Sequence, residues 1–349
     1  MKISLEPFGT LHDGQQSTLY TIKNEAGMSI SVCDYGACVV RVIVPDRLGK
    51  FSDVVLGFDS VTSYLNNPAY LGAICGRMAN RIAKGKFTLH DVEYRLTTNN
   101  GNNTLHGGSN GFDSRLWKGE MLANGVRFSY LSPDGQEGFP GSLQVYVDYC
   151  LDDKNKFSIE YEMISDADTI VNLTNHTYFN LAGHNSGSIF EHSLQMFAEF
   201  YTPLTSKLVP TGEIRSVDGT PFDFRNSKPI GREIEYDCEQ LKWAGGYDHN
   251  FVLDKPERDK LSLAARVMHE ATGRMMEVWT TMPGIQFYTS NCLACEKGKN
   301  GSKYKAHDAF CLETQLFPDS MTWTHFPSPI LPAKMPFRSR TDYRFLLSF

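Results

Sequence analysis

Along most of the chain, apolar and polar residues alternate over short windows that end at Gly, Pro, Asn or Asp. A period of two residues is typical of half-buried β-strands joined by tight turns. Clear examples are FTLHDVEYRLTTNN, VRFSYLSPDGQEGFPGSLQVYVDYCL, FSIEYEMISDADTIVNLTNHTYFNL and MEVWTTMPGIQFYTS. Helical periodicity is scarce, and we predict only short helices, near Ser60–Leu65 and Ser302–Ala309.

The order of these elements indicates the fold class. The predicted strands do not alternate regularly with long helices, which argues against a parallel α/β sheet. The chain has no repeat of fixed period, no low-complexity tract and no linker rich in Gly, Pro or Ser. We therefore expect an all-β protein, a large antiparallel sandwich, although 349 residues could form one large β domain or two ordinary ones.

The stretch Val171–Gly183, VNLTNHTYFNLAG, contains an unusual polar face. Read as a strand, it has one mostly apolar face and an opposite face made of Asn172, Thr174, His176, Tyr178 and Asn180. An exposed strand face usually carries charged residues, whereas these groups are uncharged or weakly basic, and they both donate and accept hydrogen bonds. Asn is also a poor strand former. Either the face is an ordinary exposed one, or His176 and its neighbours serve a ligand.

Composition excludes several classes of function. The net charge is −6 and 41% of the residues are hydrophobic, without the basic cluster that binds nucleic acid or an anionic membrane. The N-terminal sequence MKISLEPFGTLHDG lacks the continuous apolar core of a signal peptide. We therefore expect a cytoplasmic protein with no nucleic-acid or membrane partner.

The eight cysteines are scattered, and several lie among apolar residues, as expected for free thiols in a reducing compartment. Cys292 and Cys295 form one C-x-x-C, which is half of a possible zinc site. No second pair and no nearby His-x-x-x-His completes it, so we expect no metal.

A carboxylate stands in an apolar setting in FCLETQLFPDS. Glu313 lies between Leu312 and Thr314 in a segment that is typical of a half-buried strand. Burial of an unpaired carboxylate is costly and raises its pKa toward the range of a general base. The alternative is an edge-strand Glu that faces water.

Other polar residues lie in loops or at strand ends. His106 lies in the loop NNGNNTLHGGSNG, where Gly and Asn permit close approach of the backbone to a ligand. In GAICGRMANRIAKG, Arg77 and Arg81 could hydrogen-bond a polyol, but a surface or structural role is expected for at least one of them. YDHNFVL and PGIQFYT add Asp248, His249, Gln286 and Tyr288.

Taken together, these groups suit a neutral polyhydroxyl ligand. Planar polar side chains bind hydroxyls, one carboxylate can take a proton and one imidazole can give one. The phosphate-binding patterns G-x-x-x-x-G-K-[ST] and G-x-G-x-x-G are absent from the sequence, so nothing indicates a nucleotide site.

The ordered motifs resemble those of the aldose 1-epimerase (galactose mutarotase) family. The similarity runs from about Phe51 to the C-terminus, through GAICGRMANRI, NNTLHGG, DGQEGFPG, NLTNHTYFNLAG, TPFDFR, YDHNFVL, PGIQFYT and FCLETQLFPDS. The resemblance implies the galactose-mutarotase-like fold, an antiparallel β-supersandwich in a single domain, here residues 1–349. It also implies interconversion of the α and β anomers of free aldoses such as glucose and galactose.

The resemblance further implies the roles of individual residues. Glu313 in LETQ would be the base and His176 in TNHTYFNL the acid. The sugar hydroxyls would be held by Asn80 and Arg81 in ANRI, His106 in LHGG, Asp248 in YDHN and Gln286 in PGIQF. No cofactor or metal is implied, the partner is a small monosaccharide, and the protein would be a monomer or a homodimer.

The implied reaction moves two protons. The base removes the anomeric hydroxyl proton while the acid protonates the ring oxygen, the C1–O5 bond opens, the aldehyde turns about C1–C2, and the ring recloses on its other face. We expect Glu313 and His176 both to have pKa values near neutrality, so that each serves in either direction.

The sequence departs from the family after PDS, where it reads MTWTHFPS, so Trp323 is expected to alter the rim of the pocket. Alternatives also stay open. A hexose-6-phosphate 1-epimerase would need more Arg or Lys near the site. A glycoside hydrolase would need two opposed carboxylates, for which Asp134 and Glu137 are candidates in a hairpin turn. A non-catalytic carbohydrate-binding sandwich would have no use for a Glu and His pair.

Overall fold

The computed structural model describes residues 1–348, whose regular structure is mainly antiparallel β-strands, as predicted. The strands of the first half are β1 (Lys2–Thr10), β2 (Gln16–Lys23), β3 (Ser29–Cys33), β4 (Val39–Pro45), β5 (Phe51–Asp53), β6 (Ile74–Cys75), β7 (Arg81–Ile82), β8 (Lys86–Leu89), β9 (Val92–Arg95), β10 (Thr104–Leu105), β11 (Lys118–Met121), β12 (Gly125–Ser132), β13 (Leu143–Leu151) and β14 (Lys156–Ser165).

The second half continues with shorter strands before a long final one. They are β15 (Thr169–Ile170), β16 (Thr174–Asn175), β17 (Ser193–Met196), β18 (Phe200–Thr202), β19 (Arg215–Ser216), β20 (Lys228–Pro229), β21 (Asp248–Val252), β22 (Ser262–His269), β23 (Arg274–Thr280), β24 (Gly284–Tyr288), β25 (Cys311–Gln315), β26 (Ile330–Leu331) and β27 (Phe337–Leu347).

Helices are few and short. The α-helices are α1 (Val61–Tyr64) and α2 (Glu239–Ala244), and single 3₁₀ turns span Ala83–Gly85, Phe112–Ser114, Gln136–Gly138, Ile230–Arg232 and Lys299–Gly301. The predicted helix near Ser60–Leu65 is confirmed by α1, whereas the one at Ser302–Ala309 is wrong. There the chain turns back, and Tyr304 pairs with Cys295 through two backbone hydrogen bonds.

Three larger antiparallel sheets form the body of the structure. Their strand orders are β1-β2-β3-β4-β5, β11-β12-β13-β14-β27-β23-β22-β17-β20 and β19-β18-β21-β24-β25. One hydrophobic core takes residues from all three, among them Val32 of β3, Val147 of β13 and Phe287 of β24. The sheets therefore pack as the layers of a sandwich, which buries the apolar face of each.

Two tyrosine hydroxyls reach across the core and satisfy backbone carbonyls on the other side. Tyr149 on β13 donates to the carbonyl of Ala37 at 2.6 Å, and Tyr343 on β27 donates to that of Leu312 on β25 at 3.3 Å. Since buried polar groups need partners, these bonds fix the spacing of the layers. The nine-stranded sheet joins strands between Lys118 and Leu347, which supports the single-domain prediction, although that organisation stays a prediction.

The stretch from Val171 to Leu181 is not one long strand with an exposed polar face. Only Thr174–Asn175 is a strand, and every residue of the stretch is buried. Its asparagines cross-link the backbones of neighbouring segments. Asn172 exchanges hydrogen bonds with the backbone of Leu316, Asn175 donates to the Gly72 carbonyl, and Asn180 donates to the carbonyls of Gly187 and Asp308.

The structure also bears on the expectations for the cysteines and for membrane contact. All eight cysteines are free, and Cys33, Cys38, Cys75 and Cys311 are buried. None of the helices within residues 1–348 has the length and apolar character needed to cross a membrane.

Arg77 is a structural arginine. Its guanidinium is buried and donates to the carbonyls of Pro140 and Gly141, both at 2.8 Å, and to Ser132 Oγ at 2.6 Å. Burial lowers the pKa of Arg77 to about 10. Because it donates to several acceptors of this turn at once, Arg77 holds the β12–β13 connection to the loop before β7.

We expect Arg77→Met to lower the free energy of unfolding by about 3 kcal/mol, because it leaves several buried carbonyls without a donor. Urea denaturation measures this value. Arg95→Met is the control, since Arg95 is largely exposed and pairs with Glu93 at the surface, and its effect should stay within about 0.5 kcal/mol. Equal effects of the two substitutions would contradict the structural role of Arg77.

Candidate functional site

A polar face on the second five-stranded sheet carries three of the predicted residues. The register pairs Gln286 of β24 with Glu313 of β25, and Asp248 of β21 with Tyr288 of β24. Because alternate residues of a strand share a face, Asp248, Gln286 and Glu313 point to the same side. The opposite side packs into the core with Phe251, Ile285, Phe287 and Leu312.

His176 is held above this face by its backbone. Its N–H donates to the Ala73 carbonyl and its own carbonyl accepts from Gly72, both at 2.9 Å. These bonds continue the pairing of β16 with β6 and bring the imidazole to Glu313. His176 Nε2 lies 3.7 Å from Glu313 Oε1, and the two side chains are only 7% and 3% exposed. The two residues, which lie 137 positions apart in sequence, therefore meet in one buried site.

The pair opens on a cavity of about 280 Å³. This volume lies near the lower end of the range for small-molecule pockets, about 300–1,000 Å³. Six of the seven predicted site residues line it: Asn80, Arg81, His106, His176, Asp248 and Glu313. The rest of the wall includes Tyr70, Asn100, Tyr178, Leu208, Tyr288 and Cys292.

The Gly-rich loop places His106 through a reciprocal contact with Asn80. The His106 N–H donates to the Asn80 carbonyl at 3.1 Å, and the Asn80 N–H donates to His106 Nδ1 at 3.2 Å. Both residues have positive φ, 62° for Asn80 and 51° for His106. Asn and His adopt this conformation more readily than most residues. Since Nδ1 of His106 accepts a hydrogen bond, the ring hydrogen lies on Nε2.

Arg81, Asp248 and Gln286 form a chain of contacts. Arg81 Nη1 lies 3.6 Å from Asp248 Oδ2, and Gln286 Nε2 donates to Asp248 Oδ1 at 2.7 Å. Gln286 in turn accepts from Gln315 at 3.0 Å. Gln286 is 2% exposed and does not line the cavity. The structure therefore places this residue, which was expected to hold sugar, behind Asp248, where it orients that carboxylate.

Burial dominates the electrostatics of Glu313. It raises the pKa of this carboxyl well above its usual range, the nearby charge of Asp248 raises it further, and Arg81 opposes both. Glu313 Oε2 is buried and has no hydrogen-bond partner among the described residues. Burial therefore favours the protonated, uncharged form of this carboxyl group.

Burial acts in the opposite direction on the imidazoles. It lowers the pKa of His176 to about 4, and it lowers that of His106 well below its usual range, helped by His176 and Arg81. The expectation of a near-neutral pKa is therefore wrong for His176, whereas the pKa of Glu313 shifts in the expected direction, upward from its usual range. Each group is shifted toward its uncharged form, because burial penalises the ion more than the neighbouring groups stabilise it.

The donor atoms of His106, His176 and Glu313 all lie within 4.8 Å of one another, a set that could in principle bind a transition metal. However, an imidazole must offer a lone pair to a metal, and the contact with Asn80 places the hydrogen of His106 on the nitrogen that faces away from Asn80. His106 is thus arranged as a hydrogen-bond donor, and the absence of a metal stays a prediction.

Several other candidates lie away from the cavity. His249 is in the core with Gln240 as its partner. Asp134 and Glu137 accept hydrogen bonds from the backbone N–H groups of Gly141 and Ser109, so these two acidic residues hold a turn. Trp323, expected at the rim, does not line the cavity and packs against Gly212 instead.

Two residues of the site gave no signal in the sequence as functional groups. Tyr70 has positive φ, and its ring lies 4.7 Å from that of His106, between centroids. Cys311 lies two residues before Glu313 on β25, with its sulfur 3.4 Å from His176 Nδ1. A tyrosine after a Pro-Ala turn and a cysteine in an apolar strand are ordinary in sequence, so only the three-dimensional contacts identify them.

Comparisons with known proteins agree with this geometry. The model of a family described as aldose 1-epimerase matches residues 18–344. A protein from Bos taurus named galactose mutarotase is 46% identical over 319 residues, 91% of each chain. An Escherichia coli protein named aldose 1-epimerase is 37% identical over 337 residues, 96% of each chain.

A comparison of whole structures points to the same family as the sequence comparisons. A solved structure of an aldose epimerase homologue from C. elegans superposes with a TM-score of 0.89 at 33% identity, covering 95% of this chain and all of that one. This similarity confirms the predicted galactose-mutarotase-like architecture.

The raised pKa of Glu313 should appear in the pH dependence of stability. Between the unfolded pKa, near 4.5, and the raised folded value, the folded chain binds one proton more than the unfolded chain, so stability falls as pH rises. In Glu313→Gln this loss is absent. The variant should therefore gain stability over wild type by up to about 1.4 kcal/mol for each pH unit above 4.5.

Urea denaturation of both proteins from pH 5 to pH 8 measures the difference. The lowered pKa of His176 acts equally in both chains and cancels from the comparison if the imidazole is undisturbed. Glu235→Gln is the matched control, because Glu235 is exposed and should show no such trend. A difference between Glu313→Gln and wild type that is constant with pH would contradict the raised pKa of Glu313.

Proposed function

The chain belongs to the aldose 1-epimerase family, and we propose that it interconverts the α and β anomers of free aldoses by opening and reclosing the pyranose ring. The family is one of isomerases. The observation that carries the proposal is the buried pair of Glu313 and His176, 3.7 Å apart on the wall of a cavity that fits a small molecule. A purely sugar-binding sandwich gains nothing from such a pair, because desolvating both groups is costly.

We assign Glu313 as the base and His176 as the acid. In the ring-opening step Glu313 takes the proton of the anomeric hydroxyl, the C1–O5 bond breaks, and His176 Nε2 gives a proton to the ring oxygen. After the aldehyde turns about C1–C2, the same protons return and the ring closes on its other face. Proton transfer by one positioned group contributes on the order of 10²- to 10⁴-fold in rate.

The two residues share one proton throughout this cycle. The closed-ring complex needs a carboxylate and an imidazolium, whereas the complex with the open aldehyde has a carboxyl group and a neutral imidazole. Burial favours the second state, because both groups are then uncharged. A sugar hydroxyl that donates to the Glu313 carboxylate stabilises this ion and brings the two states closer in energy.

The other cavity residues suit the hydroxyl groups of a sugar. Asp248 and Asn80 offer oxygen acceptors, Arg81 offers a charged donor, and His106 offers its Nε2–H. We propose that His106 and Arg81 also stabilise the charge that develops on the ring oxygen. Gln286 acts indirectly, since it holds Asp248 by a hydrogen bond of 2.7 Å.

The substrates we propose are galactose and glucose. The Bos taurus relative is named for galactose and the Escherichia coli relative for aldoses in general. A hexose 6-phosphate is disfavoured, because among the described residues that line the cavity Arg81 is the single arginine or lysine, and it is already paired with Asp248. The cytoplasmic location and the monomeric or homodimeric state stay predictions.

The assignment is tested by polarimetry on fresh α-D-galactose and α-D-glucose. Wild type should accelerate mutarotation over buffer, and Glu313→Gln and His176→Asn should each lower kcat by at least about 10²-fold, since each loses one proton-transfer group. Glucose 6-phosphate is the comparison substrate and should react much more slowly.

Glu235→Gln, an exposed substitution of the same type, should keep full activity. Circular dichroism and urea denaturation establish that each variant is folded. If folded Glu313→Gln retained wild-type kcat, the assignment of the base would be wrong. If wild type did not accelerate the mutarotation of either sugar over buffer, the proposal of an enzyme would be wrong and a non-catalytic carbohydrate-binding role would take its place.

A further inference from the structure

The two imidazoles of the cavity meet different partners at Nδ1. His106 Nδ1 faces the backbone N–H of Asn80, which can only donate. His176 Nδ1 faces the thiol of Cys311, with 3.4 Å between nitrogen and sulfur. A thiol can donate or accept a hydrogen bond, so it permits Nδ1 of His176 to carry a hydrogen, whereas the contact with Asn80 forbids this at His106.

The proposed reaction, on which this inference rests, determines which state His176 needs. Its Nε2 lies 3.7 Å from Glu313 Oε1 and must lose and regain a proton at each ring opening and closure. Its Nδ1 must then keep a hydrogen in both states of the ring. A buried N–H without an acceptor is strongly unfavourable, and Cys311 is the side chain within hydrogen-bond distance of this nitrogen among the described residues. A hydrogen bond with the backbone of His176 itself also raises the pKa of the ring.

We propose that Cys311 is a positioning residue for His176, whose Nδ1–H donates to the sulfur so that Nε2 alone exchanges the catalytic proton. The thiol stays uncharged, because burial raises the pKa of Cys311 well above its usual range. A neutral sulfur is a weak acceptor and stabilises an imidazolium far less than a carboxylate would. The imidazolium therefore remains a strong acid, which suits protonation of a weakly basic ring oxygen.

The place of Cys311 in the fold supports this role. It lies on β25, on the same face as Glu313, and pairs with Tyr288 of β24. One strand therefore fixes both the base and the orientation of the acid. Cys311 is fully buried and does not line the cavity, so it has no direct contact with a bound sugar. Its effect should appear in kcat rather than in KM.

The protonation states of the two histidines should then be opposite. In the uncharged ring of His176 the hydrogen lies on Nδ1, and Nε2 offers a lone pair toward the carboxyl of Glu313, 3.7 Å away. In His106 the hydrogen lies on Nε2. The ¹⁵N chemical shifts of imidazole nitrogens distinguish these forms, and the signals of His176 are identified by their loss in His176→Asn.

The test compares Cys311→Ala, Cys311→Ser and the control Cys38→Ala, which removes another buried thiol outside the cavity wall. We expect Cys311→Ala to lower kcat about tenfold with KM nearly unchanged. A tenfold change corresponds to the loss of one hydrogen bond to the acid, His176. The ¹⁵N spectrum of this variant should show the hydrogen of His176 moving from Nδ1 toward Nε2. Cys311→Ser should restore both kcat and the Nδ1–H signal, because a hydroxyl also accepts.

Three outcomes would overturn the proposal. They are a Nε2–H form of His176 in wild type, a Cys311→Ala variant no slower than Cys38→Ala, and a slower variant whose His176 signals are unchanged. If Cys311→Ala does not fold, Cys311→Ser decides: retained Nδ1–H and kcat support the role, and loss of either overturns it. Wild-type activity on galactose is measured first, so that failure of the proposed function is recognised separately.

Discussion

The site depends on the removal of Glu313 from water. Among the described residues Oε2 has no hydrogen-bond partner, the nearby charge of Asp248 raises the pKa of this carboxyl further, and Arg81 opposes the rise only partly. The same burial that raises the pKa of the Glu313 carboxyl lowers the pKa of the His176 imidazole. A pair that shares one proton, with neither ion strongly favoured, is suited to a reaction whose forward and reverse halves use the same two groups in exchanged roles.

Such a pair needs rigid support, and the asparagines beside His176 provide part of it. Asn172 binds the backbone of Leu316, just after β25, and Asn175 binds that of Gly72. The segment that carries the acid is therefore tied to the strand that carries the base. A side-chain amide can satisfy both an N–H and a carbonyl of an irregular neighbour, which a strand residue such as Val cannot do. This explains why residues that are poor strand formers surround His176.

Histidine serves two different purposes in one cavity of about 280 Å³. His106 is limited to a neutral donor because a backbone N–H occupies its Nδ1. His176 faces a thiol and keeps one nitrogen for proton exchange. The atoms beside each ring, rather than the residue type, determine whether an imidazole binds a hydroxyl or moves a proton. The same distinction argues against the metal site that the cluster with Glu313 would otherwise suggest.

The sequence by itself determined the all-β class, through its period of two, and its motifs identified the family and six residues that line the cavity. Local pattern carries this information because strand alternation and the residue types of a site are local properties. Only the tertiary structure decided that the stretch around His176 is buried on every side, that Gln286 lies behind Asp248, and that Cys311 meets the acid. Burial, and the pKa values that follow from it, depend on which distant segments cover a residue, and no local pattern records that.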